Sequence, residues 1–168
     1  MEDPSIYAYM DCFDASALVK KYIQEDGSDI LRRYIYRRPG GYTTPFCYFE
    51  TLSVLKAKWL YDKKGKRISK AEYLKAAFDL TAWFASVSRD MKDVVFTDIF
   101  VYKNVQDISE RYSIDLSDAF QIISVKKGYY SPLVRKSATL LVTADKKLAE
   151  VARSEGIRAW YFMDEPEP

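Results

Sequence analysis

Carboxylates carry nearly all the chemistry this chain can offer. It has 168 residues and no histidine. That excludes Ser-His-Asp and Cys-His schemes, histidine general bases and histidine-containing zinc sites. Cys12 and Cys47 form no CxxC pair, so a thiolate zinc site is excluded too, and both read as buried thiols. Four acids stand where acids can meet. Asp14 ends the apolar run 6–13, and Asp145 follows the apolar run 138–142 after Thr143-Ala144. Asp118 lies in the first turn of an apolar helix, three residues after Asp115. Glu50 sits inside a helix, with Phe46, Cys47 and Val54 at i−4, i−3 and i+4.

Each acid also has a plain structural reading. Asp14 and Asp145 can cap helices, Asp115 and Asp118 can share a helix start, and Glu50 can face solvent. Taken together they suggest more. Carboxylates converging on one sheet edge repel one another, and some stay protonated without a cation. Mg²⁺ and Mn²⁺ prefer oxygen ligands. Such an ion can orient a phosphodiester and stabilise the charge on a leaving oxygen.

The elements that must position these acids follow from hydrophobic patterning and punctuation. Strands are expected at 6–13, 42–44, 94–97, 138–142 and 158–162. Helices are expected from Asp14 to about Gln24, from Gly27 to about Ile35, and over 45–61, 69–86, 99–112, 115–128 and 146–154. Thr44-Pro45 is a strong helix start, and Ser69 with Glu72 spells a capping box. Apolar strands alternating with helices indicate an α/β fold with a short parallel sheet covered on both faces. One domain over 1–163 is expected, with an acidic, proline-rich tail at 164–168 that frays.

The ordered blocks resemble the PIN-domain ribonuclease family. Residues 12–20, Cys-Phe-Asp-Ala-Ser-Ala-Leu-Val-Lys, resemble its opening, a strand running into Asp-x-Ser. Glu50 fits its second block, residues 115–120 its third, and Leu140-Leu141-Val142-Thr143-Ala144-Asp145 its fourth. The resemblance spans residues 6–162. It implies a three-layer α/β/α sandwich and hydrolysis of RNA phosphodiesters with one or two Mg²⁺ or Mn²⁺ ions. The products would carry 5′-phosphate and 3′-hydroxyl ends. By match, Asp14, Glu50, Asp118 and Asp145 would be the catalytic, metal-holding quartet, with Ser16 and Thr143 as supporting hydroxyls. Asp115 would be an extra acid of open role. Many stand-alone members of this size are VapC-like toxins of toxin–antitoxin pairs, homodimeric and inhibited by an antitoxin protein.

The net charge is only +2, so RNA binding must come from local patches. Lys63, Lys64, Lys66 and Arg67 form one basic group, and Arg32, Arg33, Arg37 and Arg38 a second. Tyr36 and Tyr61 stand beside them and are able to stack on bases. Either group also reads as a solvated helix end. No apolar stretch is long enough to span a membrane and no signal peptide is visible, so a cytoplasmic protein is expected. A haloacid-dehalogenase-type phosphatase needs Asp-x-Asp where this chain has Asp14-Ala15-Ser16, and a response regulator needs an acidic pair at the first strand end that is missing here. A non-catalytic PIN-like module that holds RNA or a protein is the alternative from a different class.

Overall fold

A computed structural model describes residues 10–61, 67–88, 93–132 and 139–168. Four short strands form one sheet: β1 (Asp11–Phe13), β2 (Gly41–Tyr42), β3 (Leu141–Thr143) and β4 (Ala159–Tyr161). Their order across the sheet is β2-β1-β3-β4, and every neighbouring pair is parallel. Cys12 pairs with Tyr42 on one side and Leu141 on the other, and Val142 pairs with Trp160. The chain leaves β1 toward β2 and later returns to β1's other side as β3. The β1/β3 junction is therefore the topological switch point, where open parallel sheets place their ligands beyond the carboxyl ends.

Seven helices are described: α1 (Ala15–Tyr22), α2 (Ser28–Arg37), α3 (Pro45–Leu60), α4 (Lys70–Ser88), α5 (Ile99–Tyr112), α6 (Leu116–Lys127) and α7 (Lys146–Ser154). They cover both faces of the sheet. Side chains alternate along β1 and β3, so Cys12 and Leu141 join one apolar cluster while Phe13, Leu140 and Val142 join the other. The first cluster takes Val105 and Ile108 from α5, Ala119, Ile122 and Ile123 from α6, and Leu148 and Ala152 from α7. The second takes Leu18 from α1, Leu31 and Tyr34 from α2, Leu55 from α3 and Leu80 from α4. This α/β arrangement, with its small all-parallel sheet, is compatible with a three-layer α/β/α sandwich.

Local chemistry explains the helix starts. The Thr44 hydroxyl accepts from the Cys47 amide at 3.2 Å, with Pro45 in the first turn of α3. At α4 the Ser69 amide donates to Glu72 at 2.7 Å and the Glu72 amide donates to Ser69 at 3.1 Å, a complete capping box. Residues 94–97 correct the expected pattern, because no strand forms there. The Val94 amide donates to the neighbouring Asp93 carboxylate, and Asp98 caps α5 by accepting from the Phe100 and Val101 amides. With Val95 and Phe96 exposed, the segment has no sheet edge to join. The expected strand over 6–13 is shorter, with residues 6–9 outside the described part.

One carboxylate is spent on structure. Asp11 is fully buried on β1, where the Tyr34 hydroxyl donates to it at 2.7 Å and Arg38 pairs with it at 3.1 Å. These contacts fasten α2 to the sheet. Burial still outweighs its partners and raises its pKa. The tail also makes contacts: Trp160 Nε1 donates to the Glu165 carbonyl at 3.2 Å, Arg153 pairs with Glu165 at 2.5 Å, and Arg37 pairs with Glu167.

Candidate acidic site at the switch point

Asp14 leaves the carboxyl end of β1 and caps α1. It is buried, and three bonds converge on its Oδ2: from the Ser16 amide at 3.1 Å, the Ser16 hydroxyl at 2.5 Å and the Thr143 hydroxyl at 2.9 Å. Ser16 Oγ in turn accepts from the Ala144 amide at 2.9 Å, and Thr143 Oγ1 from the Asp145 amide at 2.9 Å. The two hydroxyls thus bind the ends of β1 and β3 together and fix the Asp14 carboxylate in one orientation. Ser16 and Thr143 stand where the sequence placed them. Burial raises the Asp14 pKa, and these bonds oppose the shift.

Asp145 also follows its strand, and its Oδ1 accepts from the Leu148 amide at 3.1 Å, capping α7. The plain reading as a cap is therefore realised for both residues. The caps leave both carboxyl groups at the ends of their strands.

Glu50 departs from its expected setting. It faces solvent on α3 rather than lying among apolar side chains, because Phe46, one turn earlier, is itself exposed. Its pKa is nevertheless raised, first by partial burial and then by the charges of Asp14 and Asp115; a hydrogen bond with Ser117 opposes the shift. Glu50 therefore lies within the field of the other acids. Ser117 is a contributor that sequence reading missed, and its position between Asp115 and Asp118 was the signal for it.

Asp118, in the first turn of α6, is the most perturbed of the group. Its pKa is pushed up to about 7 by burial, then by the charges of Asp14, Glu50, Asp145 and Asp115. Every one of these causes acts in the same direction. Asp115 occupies the N-cap position of α6 but makes no side-chain cap bond. Its carboxylate is exposed, and its field reaches both Glu50 and Asp118.

The structure thus gathers Asp14, Glu50, Asp118, Asp145 and Asp115 into one electrostatic neighbourhood at the carboxyl ends of β1 and β3. It does not close them into a coordination shell. Among the described residues, no three acid, cysteine or histidine side chains stand close enough together to hold a metal ion. The chemistry of the donors suits a hard cation: they are oxygen ligands that repel one another. In this geometry the carboxylates form no such shell among the described residues.

The second basic group, around Arg32 to Arg38, is less available than the sequence suggested. Lys63, Lys64 and Lys66 lie outside the described residues, while Arg67 is described and exposed. In the second group, Arg37 pairs with Glu167, Arg38 with Asp11, and Arg32 donates to the Lys21 carbonyl at 3.0 Å. Three of those four arginines therefore have structural work. No helix among the described residues is long and apolar enough to cross a membrane. No protein-family model matches the chain, and no curated protein matches it.

Proposed function

We propose that this protein is a divalent-metal-dependent phosphodiesterase of PIN-like fold, acting on RNA through Asp14, Glu50, Asp118 and Asp145. The observation that carries this reading is the placement of Asp14 and Asp145 at the carboxyl ends of β1 and β3 with Asp118 at the start of α6, where burial and neighbouring carboxylates push the Asp118 pKa up to about 7. A purely structural acid is normally given a cationic partner, as Asp11 has in Arg38. Asp118 instead has only anions among the main influences on it. Strongly perturbed acids of this kind, at a sheet's switch point, mark functional sites.

The resident groups divide the work. Asp14, held by Ser16 and Thr143, is the fixed point of the site. Asp118 and Glu50 are the adjustable donors. Asp145 contributes charge from the neighbouring strand, and Asp115 adds field at the rim. A Mg²⁺ or Mn²⁺ ion held by these carboxylates would supply Lewis-acid charge opposite the phosphodiester. Asp118, titrating near neutrality, is suited to hold a proton at its carboxyl oxygen and release it as the site fills. The toxin role, an antitoxin partner and a homodimer belong to this reading through the family resemblance alone, and a cytoplasmic location through the sequence's lack of a visible signal peptide or membrane-length apolar stretch.

One observation favours a second reading. The acids do not close around a point among the described residues, as expected for a non-catalytic PIN-like module that holds RNA or a protein. Incubating the purified protein with a mixed RNA pool, with and without Mn²⁺ or Mg²⁺, separates the two. Cleavage that requires metal and disappears in Asp14→Asn supports the nuclease. Binding without cleavage by a folded, metal-saturated protein supports the module.

A further inference from the structure

An apolar pocket of about 220 Å³ opens beside the acidic site. It is lined by Phe46, Phe96, Tyr102, Val105, Leu116 and Phe120, with Ser117 its bridge to the acids. Phe46 lies one turn before Glu50 on α3, and Ser117 lies between Asp115 and Asp118 at the start of α6. The wall is aromatic and ordered: the Phe46 ring packs edge-on against Phe120 at 4.8 Å and against Phe96 at 5.5 Å. The mouth stays exposed, with Phe96 at 53%, Leu116 at 53%, Tyr102 at 46% and Phe46 at 40%. Exposed apolar groups gathered in this way mark a binding surface.

We propose, resting on the nuclease reading above, that this pocket seats one nucleobase of the RNA strand whose phosphate lies at the acids. Its volume falls below the ~300 Å³ that drug-sized ligands require, and suits a single flat ring system. Its walls offer ring faces and edges and few polar atoms, which is the chemistry of stacking rather than of base-edge readout. The acids repel an anionic backbone, so an uncharged part of the substrate must supply affinity at this point. A base reaches the pocket only when it leaves its own stack, so the seat selects unpaired nucleotides and tolerates several base identities. The same observation explains Phe96: the run that forms no strand provides one outer ring of the pocket.

The test uses the full-length chain and fluorescence anisotropy with a labelled single-stranded RNA of about ten nucleotides, in chelator to prevent cleavage. A matched set of oligomers carries one abasic site at each position in turn. Phe96 is exposed, so Phe96→Ala folds normally, and Phe96→Trp restores a stacking face. The expected result is an abasic position that weakens wild-type binding by roughly 5–150-fold, the equivalent of ~1–3 kcal/mol per stacked base. Phe96→Ala should lose the same factor on intact RNA and show no further loss at that position, and Phe96→Trp should recover it. A flat abasic scan, or unchanged affinity in Phe96→Ala, overturns the proposal. So does a variant that keeps wild-type RNA affinity but sediments as a smaller species, which assigns the pocket to a second copy of the chain. Cleavage assays in Mn²⁺ separate the two readings. A Phe96→Ala protein that binds and cuts like wild type leaves the nuclease and removes the seat. A position-dependent abasic effect in a protein that never cuts does the reverse.

Discussion

Asp118→Asn should make the metal-free protein more stable at alkaline pH. In the folded protein this carboxyl titrates near 7, against 3.8 for an ordinary Asp. A raised carboxyl pKa means that the folded state binds the proton more tightly than the unfolded state. The protonated group therefore favours folding below about pH 4, and this contribution is lost as pH rises toward 7. The full shift of about three pH units corresponds to a ceiling of ~4 kcal/mol at 1.36 kcal/mol per unit. Asp118 is only partly buried, so solvent screening reduces the figure to ~1–2 kcal/mol. Asn keeps the shape, removes the charge and relieves Glu50 and Asp14. Thermal denaturation of both proteins in chelator from pH 4 to 8 should show matching curves at pH 4. At pH 8 the variant should melt ~2–8 °C higher, at about 2–4 °C per kcal/mol for a domain of this size. A variant that melts lower at pH 8, or a difference that does not change with pH, would refute the claim that like charges surround this group.

Further perturbations probe the supports. Ser16→Ala removes the hydroxyl shared by Asp14 and the Ala144 amide; metal-dependent cleavage should fall ~10–100-fold, while urea unfolding shows a loss of only ~1 kcal/mol. Arg38→Met removes the ion pair of buried Asp11, leaving the Tyr34 hydroxyl and the more distant charge of Arg158, and should cost ~3–5 kcal/mol in equilibrium unfolding, far more than Arg33→Met. Thr44→Ala removes the α3 cap and should cost ~1 kcal/mol, with a smaller effect from Thr44→Ser. Under metal-saturated conditions, Asp115→Asn should preserve cleavage within a few-fold and lower the pH of half-maximal rate, because it removes one of the charges that raise Glu50 and Asp118.

The α/β class, the parallel sheet and the positions of Asp14, Thr143 and Asp145 were legible because apolar strands running into short polar turns have few alternative folds. α5 and α7 match their expected ranges, 99–112 and 146–154, because strong caps fix them. Residues 94–97 misled because β-branched and aromatic residues also serve elsewhere: Val94 packs against the core and Phe96 lines the surface pocket. The setting of Glu50 misled because helical neighbours say which side chains are apolar, and not whether those are themselves buried. The pairing of Arg38 with Asp11 joins residues 27 positions apart and has no local signature. The role of Ser117 depends on α3 and α6 meeting, which periodicity alone does not specify.

The central claim is that these carboxylates form a divalent-cation site, and calorimetric titration of Mn²⁺ into the metal-free protein at pH 6, 7 and 8 tests it most directly. The account predicts saturable binding that tightens with pH as Asp118 gives up its proton, with proton release seen as a buffer-dependent heat. Binding should be lost in Asp14→Asn and should lose its pH dependence in Asp118→Asn. A wild-type protein that is folded yet takes up no Mn²⁺ at millimolar concentration, or one whose binding is untouched by either substitution, would contradict the account.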